Sequence, residues 1–374
     1  MGFSTFDREM MSRALKLAAR GRFTTTPNPN VGCVIVVDGD IVGEGWHRVA
    51  GQPHAEVNAL QAAGDKARGA TAYVTLEPCC HQGKTGPCAD ALIDAGIERV
   101  VIGCEDPNPK VCGCGAEKLR KAGITVELPL LEEQARTVNR GFFRRQEQGL
   151  PWVLVKMASS FDARTAMASG QSQWVTTPAS RQDVQRLRAA SCAIITGSGT
   201  QQMDDPSLTV RISSEELGIN EDVRQPLRVV VDSTLQVSPE ARMLSQPGQT
   251  LVATLAHNQT NRNVQTLSDA GAEVVFLPER NGHIDLLALL KFLAERGCNQ
   301  VMVEAGAVLA GNFVAEGLFD ELVCYIAPKL FGSDARPMFD LPIQTIDAHL
   351  ALSVQDIRRI GEDIRVTLYP DKDY

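Results

Sequence analysis

The strongest restriction on the fold is an alternation of helix and strand signals that runs twice along the chain, interrupted at Gly149 and Pro151. In the first series, residues 6–20 carry apolar Met10, Ala14, Leu15 and Ala18 at helical spacing. The β-branched run Val31 to Val37, the turn Asp38-Gly39-Asp40 and the apolar stretch Ile41 to Trp46 predict a hairpin. Helix near 55–63, strand at 71–76, helix at 89–95, strand at 98–104, helix at 116–122 and strand at 124–128 follow. Residues 131–147 predict one further charged helix before the glycine and proline break the pattern. The second series starts at Trp152 and places strands near 192–196, 227–232, 250–255, 273–277, 300–304 and 321–327, with a polar surface excursion at 211–226. Both series predict α/β domains with helices packed on a sheet. The boundary falls at about residue 148, giving domains 1–148 and 149–374.

Composition narrows the function classes. A net charge of −8 argues against a nucleic-acid backbone as the main partner, since that requires clustered Lys and Arg. A small phosphorylated substrate needs only a local basic pocket and stays open. No apolar run approaches the roughly 18–20 residues of a membrane span, and no secretory apolar segment precedes the first helix. A cytoplasmic protein without membrane or nucleic-acid partners is expected, and a homo-oligomer. Ten cysteines are too sparse for a disulfide scaffold, but Cys79, Cys80, Cys88, Cys112 and Cys114 cluster between positions 79 and 114. In a reducing compartment such a cluster reads first as metal binding.

The metal signal is His54-Ala-Glu56 followed by Pro78-Cys79 and Cys88. One imidazole and two thiolates suit Zn²⁺, and three protein ligands leave a fourth position for water. The ion lowers the pKa of that water, and a neighbouring carboxylate then moves protons; Glu56 is the candidate. The pattern is that of zinc deaminases acting on nucleobases, except that eight residues separate the cysteines where two are usual. A closed structural zinc site with Cys80 or His81 as fourth ligand fits the same residues but leaves Glu56 without a task. Cys104, Cys112 and Cys114 read as having no metal role, and Cys33, Cys192, Cys298 and Cys324 as small core residues.

Thr75-Leu-Glu-Pro-Cys-Cys-His-Gln-Gly-Lys-Thr-Gly-Pro-Cys88, with Pro27-Asn-Pro-Asn-Val-Gly32 before it and Asp106-Pro-Asn-Pro109 after it, resembles the deaminase half of the bifunctional deaminase–reductases of riboflavin biosynthesis. The eight-residue spacing is characteristic of that family. The resemblance implies that His54, Cys79 and Cys88 hold one zinc ion and that Glu56 transfers protons. It also places Asn28, His47 and Lys84 around a pyrimidine and its ribosyl phosphate. Cys80 stands where the family usually has Ser, and Gly86 where it has Pro. A free Cys80 would be a competing thiolate, and Gly86 would loosen the loop.

The second domain is less legible from residues alone. No G-x-G-x-x-G follows its first strand; the best phosphate cradle is Val303-Glu-Ala-Gly-Ala-Val-Leu-Ala-Gly311, which also suits an ordinary strand-to-helix turn. However, Lys156-Met-Ala-Ser-Ser-Phe-Asp162, Thr165 to Trp174, Asp204-Asp-Pro-Ser-Leu-Thr-Val-Arg211, Val231-Asp-Ser233 and Ala327-Pro-Lys-Leu-Phe-Gly-Ser-Asp334 resemble the reductase half of the same family. The resemblance spans nearly the whole chain. It implies a cytidine-deaminase-like α/β/α domain followed by a dihydrofolate-reductase-like α/β domain. NADPH would contact Ala158, Trp174, Thr200, Asp204, Ser233 and the turn Gly306, Ala307, Val308, Leu309, Ala310, Gly311 and Asn312. The sugar phosphate would contact Lys156, Ser172, Arg188, Leu208, Arg211 and Glu304, with Lys156 and Glu304 near the carbon that accepts hydride and one of them steering ring opening or protonation. Helix spacing alone would leave Arg188 on a solvated face.

The expected activity is hydrolytic deamination of a 2,5-diamino-6-ribosylamino-pyrimidinone 5′-phosphate, then NADPH-dependent reduction of the ribosyl group to ribityl. A deaminase of tRNA or free nucleosides would share the metal residues but not account for the second domain. A zinc-stabilised binding protein would need a closed metal site.

Overall fold

The computed structural model describes residues 2–81, 86–108 and 112–371. Two compact units divide the chain, Met1–Gly149 and Leu150–Tyr374.

In the first unit β1 (Gly32–Val37), β2 (Asp40–Trp46), β3 (Thr71–Val74), β4 (Arg99–Ile102) and β5 (Thr125–Glu127) form one sheet in the order β2-β1-β3-β4-β5. The first three strands run antiparallel and the last two continue parallel to β3. Helices α1 (Thr5–Ala18), α2 (Ala55–Ala63), α3 (Cys88–Asp94) and α4 (Cys114–Lys121) connect and cover them. α1 and α2 lie on opposite faces: a Cβ on Gly32 would meet Ala14 of α1, whereas one on Gly45, opposite the next residue Cys33, would meet Ala55 and Ala59 of α2. Helix α1 starts at Ser4 in a reciprocal capping box with Asp7. Asp7 then turns inward, accepting from Tyr73 Oη at 2.8 Å and Arg99 Nη1 at 2.7 Å, which ties α1 to two strands.

The helix expected over 131–147 is two helices, α5 (Glu132–Val138) and α6 (Arg140–Gln148). Asn139 breaks it because its buried side chain pairs with the backbone of Asn30, accepting its N–H at 2.7 Å and donating to its carbonyl at 2.8 Å. An amide that substitutes for a backbone partner competes with the helix ladder.

The second unit is a nine-stranded sheet. Its strands β6 (Trp152–Ser160), β8 (Ala193–Gly197), β9 (Leu227–Val231), β10 (Thr250–Leu255), β11 (Ala272–Leu277), β14 (Gln300–Val303), β15 (Glu321–Ala327), β17 (Leu352–Ile360) and β18 (Asp363–Pro370) lie in the order β11-β10-β9-β8-β14-β6-β15-β18-β17. Seven are parallel, and β18 and β17 add an antiparallel edge. Short ladders pair β7 (Arg164–Ala166) with β16 (Arg336–Pro337) and β12 (Glu279–Arg280) with β13 (His283–Ile284). The helices are α7 (Pro178–Ala190), α8 (Ser198–Asp204), α9 (Ser214–Leu217), α10 (Asn263–Asp269), α11 (Leu286–Glu295) and α12 (Ala307–Ala315). Successive strand residues feed opposite cores: Val153, Val155, Val301 and Val303 pack with α11 and α12, and Leu154 and Met302 with α7 and α10. Burial on both faces explains why these strands read as unbroken apolar runs. The β17–β18 hairpin was not expected, since β17 is an edge strand whose exposed residues mix apolar and charged types.

Gly45→Ala places a Cβ 2.4 Å from the Ala55 carbonyl, closer than any packing allows. We expect the first unit to lose about 1–3 kcal/mol, as for an overpacked core, seen as a fall in its calorimetric transition. An unshifted transition would show that α2 is not held by this contact.

Candidate active sites

Each metal-type side chain of the first unit sits where a strand or loop hands over to a helix. His54 is the residue that caps α2, with extended backbone (φ −74°, ψ 171°), and Glu56 lies in the helix's first turn. Cys79 follows the exit of β3, and Cys88 opens α3 after the extended Pro87. His54 Nδ1 lies 3.2 Å from Cys88 Sγ and 3.7 Å from Cys79 Sγ, and the three atoms fall within 4.8 Å of one another. Bonds of about 2.0–2.3 Å to a tetrahedral ion need donor atoms about 3.5 Å apart. The donor set therefore fits zinc in both chemistry and spacing, and no other such group occurs among the described residues.

Glu56 is buried beside this triangle, and burial, with the neighbouring Cys79 thiolate adding to it, pushes its carboxyl up to about 7. A carboxyl at that value can both take and return a proton near neutrality. Cys79 is held well below the usual thiol range by hydrogen bonds from Cys88, with His54 adding to the effect. His47 is buried next to His54, with ring centroids 5.1 Å apart. Its Nδ1 faces the Pro53 carbonyl at 3.2 Å and its Nε2 the Asn28 amide nitrogen at 3.1 Å, so Asn28, His47 and His54 form one contiguous wall. Burial keeps the His47 imidazole below its ordinary value. Lys84 lies outside the described residues.

One cysteine expectation is corrected. Cys80 is not a free competing thiolate: it forms a disulfide with Cys114. His81 is exposed and outside the metal group, so neither alternative fourth ligand joins the triangle. Sequence reasoning also missed Glu77. Its carboxylate accepts backbone N–H groups from Gly113 at 2.9 Å, Ala116 at 3.0 Å and Asp106 at 3.4 Å, seating the Cys79 segment on the start of α4. The available signal was an acid directly before Pro78-Cys79 in an otherwise apolar strand exit.

The second unit holds an open cavity of about 930 Å³ built around the loops that leave the carboxyl ends of β8, β9 and β14. That is where open parallel sheets bind ligands. Its lining includes Ala158, Trp174, Thr200, Asp204, Ser233, Gly306, Ala307, Val308, Leu309 and Asn312, and also Lys156, Ser172, Arg188, Leu208, Arg211 and Glu304. Ala310 and Gly311 are the exceptions in the expected turn: Ala310 is in the core, and a Cβ on Gly311 would strike the Asp340 carbonyl. Gly306 N donates to Thr200 Oγ1 at 3.1 Å, fixing the loop before α12.

Glu304, just after β14, organises the polar end of this cavity. It accepts Arg188 Nε and Nη2 at 3.0 and 2.9 Å and lies 3.5 Å from Lys156 Nζ. Arg188 is buried rather than solvated, and its Nη1 also donates to the Thr209 carbonyl at 2.9 Å. Burial alone would raise the Glu304 carboxyl, but Arg188 and Lys156 hold it at about 2. With Arg211, three cations face one carboxylate, an excess of positive charge suited to a phosphate. Two supporting residues were not singled out in the sequence. Gln185 accepts the Arg211 N–H at 2.9 Å, and Lys329 donates to the carbonyls of Trp174 and Val175 at 3.0 and 2.7 Å.

Fold and sites together define a zinc-type deaminase unit joined to a reductase unit. Residues 4–104 match the cytidine and deoxycytidylate deaminase zinc-binding region, and residues 151–366 match the RibD C-terminal domain. The riboflavin biosynthesis protein RibD of Escherichia coli K12 is 50% identical over 366 residues, covering 96% of this chain and 98% of the relative. The Haemophilus influenzae protein of the same name is 45% identical, covering 98% of each. Among solved structures, Acinetobacter baumannii RibD superposes with a TM-score of 0.90 at 44% identity, covering 98% of this chain and 99% of that one. A Thermotoga maritima diaminohydroxyphosphoribosylaminopyrimidine deaminase/5-amino-6-(5-phosphoribosylamino)uracil reductase gives 0.85 at 32%, with the same coverage. The chain belongs to the RibD family and is a bifunctional deaminase and reductase of riboflavin biosynthesis. No helix among the described residues is long and apolar enough to cross a membrane.

Removing one partner of a buried ion cluster leaves its cations uncompensated, at a cost of about 3–5 kcal/mol. Glu304→Gln is therefore expected to destabilise the second unit by that order in denaturant unfolding at neutral pH. Because the Glu304 carboxyl is depressed below its ordinary 4.5, its stabilising contribution is complete above that value and lost as pH falls toward about 2. The variant should lack this acid-dependent component; an unchanged pH profile would contradict the cluster.

Proposed function

We propose that the first unit hydrolytically deaminates 2,5-diamino-6-ribosylamino-4(3H)-pyrimidinone 5′-phosphate, and that the second reduces the ribosyl chain of the product to ribityl with NADPH. The observation that carries the first half is the triangle of His54, Cys79 and Cys88 with buried Glu56 beside it. These three residues would hold one Zn²⁺, which supplies Lewis acidity and draws the pKa of a coordinated water toward neutrality. Glu56 would take one proton from the attacking water and pass it to the ring nitrogen, then take the second, from the hydroxyl on the tetrahedral carbon, and pass it to the amine, which leaves as ammonia. Asn28, His47 and Lys84 orient the pyrimidine and its ribosyl phosphate.

In the second unit, Ala158, Trp174, Thr200, Asp204, Ser233 and the start of α12 at Gly306, Ala307, Val308, Leu309 and Asn312 would hold NADPH, which supplies the hydride. Arg188 and Arg211 bind the phosphate of the sugar, and Ser172 and Leu208 close its flank. Lys156 and Glu304 stand as the polar groups at the carbon that is reduced, and one of them manages the proton of ring opening. The reading implies a cytoplasmic enzyme with a small phosphorylated substrate.

The test follows ammonia and NADPH on purified full-length protein given the diaminopyrimidinone ribosyl phosphate. Ammonia should appear without NADPH, and NADPH oxidation should follow when the cofactor is added. Glu56→Gln should keep its zinc, lower ammonia release by about 10²-fold or more, and still oxidise NADPH with pre-deaminated substrate. Ammonia release that depends on NADPH, or that survives in Glu56→Gln, would contradict the assignment.

A further inference from the structure

Cys80 and Cys114 belong to neither the metal triangle nor any step described above, yet they are joined across 34 residues of sequence, with Cα atoms 6.0 Å apart. Cys80 is the residue after Cys79, and Cys114 opens α4. The two segments are docked without the disulfide. Glu77 collects the N–H groups of Gly113 and Ala116, and Gly115 lies so close to Pro78 that a Cβ would stand 1.9 Å from its carbonyl oxygen. Opening the disulfide therefore leaves its sulfurs near one another and able to close again. Access differs at the two ends: Cys80 is half-buried, while Cys114 is exposed and follows a second exposed cysteine, Cys112, by two residues. A small thiol can reach the pair from the Cys114 side.

We propose that Cys80 and Cys114 are a reversible thiol–disulfide modification site, exchanging with low-molecular-weight disulfides and thiols, and that its oxidation state sets how firmly the deaminase unit retains its metal. In oxidation, one Cys thiolate attacks a small disulfide and releases one small thiol. The other Cys thiolate then displaces the second small thiol and closes the Cys80–Cys114 bond. Two protein thiols and one small disulfide become one protein disulfide and two small thiols, so electrons and protons balance. The covalent bond pins the chain one residue beyond Cys79 to α4. Its loss leaves that segment to noncovalent contacts, among them those of Glu77 and Pro78 and the Ala89 N–H on the Cys79 carbonyl at 3.1 Å, and frees a thiol beside a metal-binding cysteine. A ligand segment tethered at both sides releases its ion more slowly than one tethered at a single side. The retention effect rests on reading His54, Cys79 and Cys88 as the metal set; the exchange site does not.

The experiment uses full-length protein equilibrated in mixtures of reduced and oxidised glutathione. Mass mapping of alkylated peptides reads the Cys80–Cys114 bond, and zinc transfer to a chromogenic chelator reads retention on the same samples. We expect the 80–114 crosslink to rise and fall with the glutathione ratio, and zinc to leave several-fold faster from the reduced form. Cys114→Ser and Cys80→Ser should each release zinc at one rate whatever the ratio. A chain in which residues 80 and 114 never link overturns the site. Linkage with identical release rates, or a redox dependence that persists in Cys114→Ser, overturns its coupling to the metal. Protein that carries no zinc in either form would strike at the metal reading, while the peptide map still decides the exchange site.

Discussion

Where α2 crosses the β1–β2 hairpin, backbone meets backbone. Gly43 and Gly45 leave no room for a side chain, and the Ala59 and Ala55 carbonyls lie where their Cβ atoms would be. Packed interiors do not yield to such intrusions without displacing an element. This contact fixes the height at which α2 begins, and so the positions of His54 at its cap and Glu56 in its first turn. The two cysteine sulfurs come from other segments, one leaving β3 and one opening α3. A three-ligand site assembled from three handover points is only as well defined as the packing that sets each of them.

The two units solve the burial of charge differently. In the first, burial outweighs the attraction of the neighbouring His54, so the Glu56 carboxyl rises to about 7, where it can exchange protons near neutrality. In the second, Glu304 is surrounded by Arg188 and Lys156 and is held firmly ionised. The first arrangement suits a group that must change protonation state. The second suits a fixed anion that aligns cations, leaving an excess of positive charge at the cavity's polar end.

Much of this was legible in the residues. Strands buried on both faces, such as β10 and β15, were expected at the bounds they have, because unbroken apolar runs flanked by turn residues leave little choice. His54, Glu56, Cys79 and Cys88 declared themselves by type and spacing. What escaped depends on long-range pairing that no local pattern encodes. Asn139 breaks a helix by bonding to a backbone more than a hundred residues away, and Arg188 is buried only because Glu304 arrives beside it. The edge hairpin β17–β18 lacks the apolar alternation of a covered sheet, and Cys80 finds Cys114 only once α4 is docked against Pro78.

The proposed deaminase requires three protein ligands to hold a metal with one position left for water. X-ray absorption on the zinc-loaded full-length protein, paired with the electronic spectrum of its cobalt-substituted form, measures this directly. Two sulfur donors, one imidazole nitrogen and one light exchangeable donor in tetrahedral geometry are expected, unchanged in Cys80→Ser. Three sulfur donors, or four protein donors with no exchangeable position, would make the site a closed structural one and contradict the proposed deaminase.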